Sequence, residues 1–470
     1  MGSRYRFTVD ITAMHKNVSG SCIFVVAHRP DKDIKFIVDC GLYQGEEDCE
    51  KKNYEKFSFN PQNLDFVLLT HNHVDHTGRI PVLFKNGFFN KVYTTQNTKD
   101  MLPIAMENNE KILRLNAKKN NKKPLYTCKD IGYFFDNLEA KEFKETFTPA
   151  QGVKVTFFKN GHLIGSAIIL IQISCDGYED INLLFSGDYS EKNIFFETED
   201  LPEEVYNMPI HVICESTYGY VDSKEINKPV FINNLVKWLE SSNIGTILVP
   251  SLSLGRFQEI AYRLKCAQEE GTIDKNIPLW FDGNLAIKYT NLYKYKLDIF
   301  SHMRDFMPEN AVFVEDSIRR KLISNYRNKQ IIVATSGMGC YGPTQEYILK
   351  FIEKRNVAIH FTSYTSPGTF GNKLLSSEQG QLVTLGAVTK RKLAMVTETR
   401  EFSSHAKRDE LLRFLKKFKQ ARTILVNHGE EETKEQFVKY CESNYVNCKE
   451  IMVLNNTVRL NRWEKIKEIY

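Results

Sequence analysis

The stretch LLTHNHVDHTG, residues 68–78, constrains this chain more than any other. His71, His73, Asp75 and His76 crowd into a few positions directly behind an apolar run. Imidazoles packed this closely repel when protonated and lose hydration when buried neutral, so such a cluster persists where a cation or another charge compensates it. In extended backbone, residues two apart share a side, so His71 and His73 point together. Asp75 and His76 then fall where the chain turns into a helix expected over DHTGRIPVLFKNG. One strand end thus presents two pairs of ligands in two directions, which suits two metals better than one. Imidazole and carboxylate without thiolate favour Zn²⁺, with Mn²⁺ and Fe²⁺ as alternatives.

The rest of the chain limits its class. With 470 residues, 42% of them apolar and 12% aromatic, it can bury a core spread over two to four domain-sized units. Its longest apolar stretches, such as SAIILIQI, fall far short of the roughly 18 residues a spanning helix needs. The start MGSRYRFTVDITAM lacks an apolar signal core, and Arg6 stands where a myristoylation signal wants Ser or Thr. A cytoplasmic protein without a membrane segment is the expectation. Ten scattered cysteines with no C-x-x-C pair suit reduced thiols, with Cys22, Cys40 and Cys214 in core-like contexts. A net charge of +5 permits nucleic acid without arguing for it, and NAKKNNKKP at 116–124 reads as a solvated loop.

Along the first 200 residues, β-type runs alternate with turns: CIFVVAH, IKFIVDCG, DFVLLTH, NKVYTT, GVKVTFF, SAIILIQIS and INLLFSGD. From about 220 helical periodicity appears, in VFINNLVKWLESS and RFQEIAYRLKCAQEEG, alternating with the strands GTILVPS, PLWFDG, QIIVATSG and VAIHFTSY. That alternation predicts a parallel α/β sheet. Near 395 the first texture returns with KLAMVTETREFSSHA, an amphipathic helix through Leu411, Phe414, Leu415 and Phe418, and the strand TILVNHGEE. An inserted second domain is the economical reading. After His428 only a short helix and one strand are expected, with no room for an extra C-terminal domain.

Other ligand-type residues stand at strand ends or turns: His162 in NGHLIGS, Asp188 in LFSGDYS, His405 in EFSSHAK and His428 in ILVNHGE. Alone, His162 reads as a hydrogen-bonded loop histidine and Asp188 as a turn or cap aspartate. Of eleven histidines, His15, His28, His211, His302 and His360 show no spacing relation and read as structural or solvated.

These segments in order, DCG, THNHVDHTGRIP, GHLIGS, SGDYS, CESTYG, EFSSHA and VNHGE, resemble the full motif series of the β-CASP nucleases of the metallo-β-lactamase fold. PSLSLGRFQE, WFDGNLAIK, IIVATSGM and TSPGTFGNKLL extend the resemblance over the inserted stretch. The family includes the endonuclease subunit of the pre-mRNA 3′-end cleavage factor, ribonuclease J and compact bacterial relatives. The resemblance implies an α/β fold: a metallo-β-lactamase αββα sandwich, residues 1–219 and 397–470, with an inserted β-CASP α/β domain, residues 220–396. It implies two divalent metal ions, one held by His71, His73 and His162, the other by Asp75, His76 and His428, with Asp188 bridging. Asp39 would orient the histidine loop from behind. Glu215 would pair with His405, raise its pKa and keep it protonated as a general acid or phosphate clamp.

Two such cations would lower the pKa of a water between them and clamp a phosphodiester for in-line attack. The implied activity is a ribonuclease, an endonuclease by first choice, with 5′-exonuclease activity open, leaving 3′-hydroxyl and 5′-phosphate ends. DNA-repair members of the family carry valine at the last motif, so His428 favours single-stranded RNA as the partner. Thr335, Ser336 and Gly337 would form a backbone nest for phosphate, with Ser404 as a further phosphate contact, although a plain strand-to-helix turn explains the first three equally well. A small-molecule hydrolase is disfavoured by the large insert and by Glu215 and His405. An inactive scaffold subunit is disfavoured because all seven ligand positions are filled. A homodimer or a larger RNA-processing assembly is left open.

Overall fold

The β-branched runs form strands because their side chains can alternate between a core and a covered face, as in Ile23–His28, where every second residue is buried. The computed structural model describes residues 7–44, 48–225, 230–295, 305–402 and 404–461. The chain divides into two compact units, one of Met1–Gln44, Asp48–Ser223 and Ser404–Tyr470, the other of Gly45–Glu47 and Lys224–Ser403.

Two seven-stranded sheets make the first unit. One runs Thr457–Asn461, Thr8–Ala13, Ile23–His28, Ile34–Val38, Phe66–Leu68, Val92–Thr95, Leu138–Lys141. Its partner runs Cys448–Val453, Ala421–Val426, Ile210–Cys214, Ile181–Phe185, Ala167–Ile173, Val153–Lys159, Thr146–Ala150. Val25, Phe36 and Phe66 of the first sheet share a core with Val155, Ile169 and Leu183 of the second, so the sheets pack face to face. Helices cover both outer faces. Leu83, Leu102 and Phe134 pack on Ile37, Val67 and Val92, while Leu411, Phe414 and Phe437 pack on Ile168, Leu184 and Val212. The result is an αββα sandwich.

Three features differ from the reading of texture. Gln96–Lys119 is a 24-residue helix inside the region read as strands and turns. Its apolar stripe, Met101, Leu102, Ala105 and Met106, is confined to the N-terminal half of the helix, so periodicity was weak. Asn116–Lys119 of the supposed loop form its last turn. After His428 come a helix, Glu431–Ser443, and two strands rather than one, the second of which pairs antiparallel with Thr8–Ala13.

The second unit carries a six-stranded sheet ordered Ala311–Phe313, Leu279–Asp282, Gln330–Thr335, Thr246–Ser251, Val357–Phe361, Met395–Glu398. All five pairings are parallel, as alternation with Arg256–Glu269 and Gly342–Phe351 requires. Met395–Glu398 closes one edge of this sheet. No disulfide forms among the described residues, and Cys22, Cys40 and Cys214 are buried. No helix among the described residues is long and apolar enough to cross a membrane.

Candidate metal centre

Strand Ile34–Val38 ends in Asp39-Cys40-Gly41, and this segment is a backbone template for the histidine loop. Cys40 N–H donates to the His76 carbonyl (2.7 Å), Leu42 N–H to Val74 (3.0 Å) and Ser21 N–H to Asp75 (2.8 Å). Position 41 must be glycine, because a Cβ there would lie 1.6 Å from the Asp75 carbonyl oxygen. Asp39 adopts φ 63°, an uncommon region for a non-glycine residue. In that conformation its carboxylate accepts from Thr70 N–H, Thr70 Oγ1–H and His76 Nδ1–H, each at 2.8 Å.

The structure gathers the four ligand-type residues of the loop with three from distant segments. His71 Nε2 lies 3.0 Å from His73 Nδ1, which lies 3.2 Å from His162 Nε2. His76 Nε2 lies 3.2 Å from His428 Nε2, with Asp75 Oδ2 3.9 and 4.0 Å from those two nitrogens. Asp188 faces both sets. Its Oδ2 is 3.5 Å from His71 Nε2 and 3.6 Å from His162 Nε2, and its Oδ1 is 3.3 Å from His76 Nε2.

Four of the five imidazoles are held by an acceptor on Nδ1, leaving Nε2 to face the centre. His71 uses Thr70 Oγ1 (3.0 Å), His76 uses Asp39, His162 uses the Ser404 carbonyl (2.7 Å) and His428 uses Thr217 Oγ1 (3.2 Å). Asn160 ties two loops together: its Oδ1 accepts from His162 N–H, and its Nδ2 donates to the Asp188 carbonyl. Thr70, Asn160 and Thr217 were not singled out by sequence, although each lies within three residues of a ligand-type residue or Glu215. Only a rule that ligands need oriented neighbours would have found them.

Electrostatics fit this donor set to divalent cations. Burial pushes His71, His162 and His428 well below the usual imidazole range and His73 down to about 4, aided by positive charge on neighbouring rings or opposed, at His73, by Asp75. Their lone pairs are therefore available. Burial also opposes charge on His76, but Asp188 and Asp39 overcome it and raise that pKa. Asp188 itself is pushed up by burial, and its Oδ1 is enclosed without a hydrogen-bond donor. Converging nitrogen lone pairs and an orphaned carboxylate oxygen are what a cation would satisfy.

Glu215 also lies close to Asp188 and His428, yet its oxygens are already used. Oε1 accepts from Tyr189 N–H, Oε2 from Thr217 N–H, and both lie within 3.1 Å of His405 Nδ1. We therefore read it as the partner of His405, not as a ligand. Burial disfavours charge on His405, but Glu215 and then Asp188 raise its pKa. Its Nε2 is turned to the centre, 3.9 Å from Asp188 Oδ2.

Family models match three segments. The metallo-beta-lactamase superfamily model covers residues 16–218, the Beta-Casp domain 257–374, and the Zn-dependent metallo-hydrolase RNA specificity domain 391–452. The chain belongs to the β-CASP family of metallo-β-lactamase-fold proteins. Among similar proteins, transcription termination factor FttA of Methanocaldococcus jannaschii is 29% identical over 445 residues, covering 91% of this chain and 67% of the relative. Ribonuclease TTHA0252 of Thermus thermophilus is 28% identical over 410 residues, covering 85% and 88% respectively. An RNase J-like protein of Methanocaldococcus jannaschii is 28% identical over 422 residues, covering 88% and 90%.

Within this β-CASP chain the remaining candidates fall elsewhere. Ser404 contributes its carbonyl to His162, as above. Thr335, Ser336 and Gly337 belong to the second unit, where Ser336 Oγ donates to the Tyr341 carbonyl (3.4 Å) and Gly337 lies against Leu252. His28 pairs with Asp10 and Asp33, and His211 and His360 are buried in strands. His15 accepts Cys22 N–H on Nδ1, its ring 6.2 Å from that of His428. His302 lies outside the described residues.

Proposed function

We propose that this chain is a metal-dependent ribonuclease, an endonuclease, that hydrolyses RNA phosphodiester bonds in the cytoplasm with two divalent cations, by preference Zn²⁺. His71, His73 and His162 would hold one ion and Asp75, His76 and His428 the other, with Asp188 reaching both. One observation carries the reading: the two oxygens of Asp188 face two separate ligand sets, and the His405–Glu215 pair stands against the same carboxylate. When bound, the cations supply a water of lowered pKa and neutralise charge on a phosphodiester.

The chain's own residues supply the rest. Glu215, fixed by two backbone N–H groups, accepts a hydrogen bond from His405 Nδ1–H and aims Nε2–H at the reacting phosphate. His405 thereby donates to phosphate oxygens as negative charge builds and protonates the departing oxygen. Thr70, Asp39, Thr217 and the Ser404 carbonyl hold the ligand rings so that no reorientation accompanies the reaction. Residues 1–219 and 397–470 would form the metallo-β-lactamase domain around the insert 220–396, and Ser336, Gly337 and Ser404 would contact phosphate. RNA is supported by the similarity to ribonuclease TTHA0252 and an RNase J-like protein, by the RNA specificity domain over 391–452, and by His428 at the last motif.

The test uses protein stripped of metal and then supplied with Zn²⁺ or Mn²⁺, given matched single-stranded RNA, single-stranded DNA and a chromogenic lactam. Metal-dependent cleavage of RNA is the expected result. Lactam turnover without RNA cleavage would overturn the reading.

A further inference from the structure

The outer half of the helix Gln96–Lys119 does little for the core. From Glu107 to Lys123 only Ala117 is buried, with Leu113 packed on the small cluster of Leu42, Val82, Leu125 and Tyr126. Ile112 is 40% exposed and Leu115 52%. The same segment concentrates the charge of the chain. Residues 107–123 carry six cations and two carboxylates, Glu107 and Glu110, a net of +4 beside the +5 of all 470 residues.

Two of those cations are engaged. Arg114 pairs with Glu110 (3.0 Å) and Lys122 with Glu50 (3.2 Å). Lys111, Lys118, Lys119 and Lys123 pair with no carboxylate among the described residues. Lysines in a last turn favour the helix dipole, which accounts for Lys118 and Lys119 but not for Lys111, two turns earlier, or for Lys123, beyond the end. Lys111 and Lys118 share a face and stand about 10 Å apart along the axis, roughly the rise of three stacked nucleotides at about 3.4 Å each. Tyr54, 38% exposed, donates its hydroxyl to the Lys123 carbonyl (3.0 Å). An aromatic ring thus stands among the ammonium groups, the combination that single-stranded nucleic acid sites use.

The other end of the helix is tied to the metal centre. Thr95 Oγ1 and Thr98 Oγ1 both donate to the Gly165 carbonyl (2.6 and 3.0 Å), in the loop that carries His162. At about 1.5 Å per residue, Lys119 stands about 30 Å from that loop. A stacked strand covers this distance in about nine nucleotides.

We propose that Lys111, Lys118, Lys119 and Lys123 form a docking surface for the phosphate backbone of RNA, holding a strand outside the segment being cut. Opposite charge supplies the affinity, since each ammonium that replaces counterions on a phosphate adds to binding and to its salt dependence. Lysines meet phosphate as point charges, so the surface accepts any sequence. This rests on the ribonuclease reading and adds a second hold on long substrates.

Binding of a fluorescent single-stranded RNA of about 30 nucleotides to the full-length, metal-stripped protein would be followed by anisotropy between about 0.05 and 0.2 M salt. Changing the four lysines to Gln should lower the slope of log affinity against log salt by about 3, at about 0.7 per lost contact, and raise Kd at low salt about tenfold or more. Changing them to Arg should preserve both. In the metal-loaded protein, the Gln variant should raise KM for the long strand relative to that for a strand of about six nucleotides, too short to reach from the centre to the lysines. Melting curves for each variant separate unfolding from lost binding. Wild-type protein that does not bind the long strand, or a Gln variant with unaltered slope and Kd, overturns the docking surface. A KM ratio that stays in place while binding weakens removes its hold on substrate. Poly-glutamate that binds the wild type as tightly as RNA of equal charge, and is released by the Gln changes, gives the surface to an acidic protein and overturns the RNA role. Metal-loaded protein that binds the long strand through these lysines but cuts nothing overturns the ribonuclease reading and leaves the docking surface.

Discussion

Around Asp188 the first unit concentrates seven ligand-type side chains, Asp188 included, five of them almost fully enclosed, with each of four imidazoles oriented by its own acceptor. Along and just beyond the outer half of Gln96–Lys119, four lysines stand in solvent with no carboxylate partner among the described residues. The difference is one of coupling. Buried ionisable groups depend on one another for charge and hydrogen-bond balance, so losing one leaves the others unpaired. Exposed lysines act singly, and each contributes its own small amount.

The harshest way to break that contrast is Asp188→Ala. It should remove measurable RNA cleavage and release metal, read by elemental analysis. Asp75→Ala should likewise abolish cleavage and leave fewer than two ions per chain. A variant at either position that stays active would show that the sets are not coupled as described.

His405→Ala separates chemistry from metal binding. Metal content should be unaltered while kcat falls by about 10²–10⁴-fold, the usual contribution of a positioned acid. Full rate in this variant removes the proposed role. Because Glu215 raises the His405 pKa against the effect of burial, the protonated acid is present below that pKa and is lost as pH rises through it. Activity should therefore fall on the alkaline side, and Glu215→Gln should move that limb to lower pH. A limb that stays in place would detach Glu215 from His405.

Thr217→Val removes the acceptor on His428 Nδ1 and should weaken metal affinity about 10- to 100-fold, as other outer partners do. Chelator competition measures it. The smallest effect belongs to the lysine surface, where Lys118→Gln should lower the salt slope of RNA binding by about 0.7 with metal content untouched. Equal losses in the two regions would erase the distinction between coupled and independent residues.

Much of the architecture was legible because its signals are local. Alternation in IFVVAH sets one face inward whatever the chain does elsewhere, and HNHVDH places its ligands by backbone geometry alone. Gln96–Lys119 was missed because only part of it meets a core, and Thr457–Asn461 because its partner strand, Thr8–Ala13, is over 400 residues away. Texture also could not tell which sheet Met395–Glu398 joins, since it is a strand in either surrounding and its pairing with Val357–Phe361 decides which.

HNHVDH, by itself, called for a compensating charge, a cation first of all, because crowded imidazoles are costly both protonated and buried neutral. Tertiary structure decided which distant groups complete the centre. It turned the two oxygens of Asp188 to opposite ligand sets, brought Thr217 and the Ser404 carbonyl behind the rings, and closed Glu215 on His405 across 190 positions of chain. Those contacts depend on sheet order and on burial, which fix distances between side chains that sequence spacing leaves free.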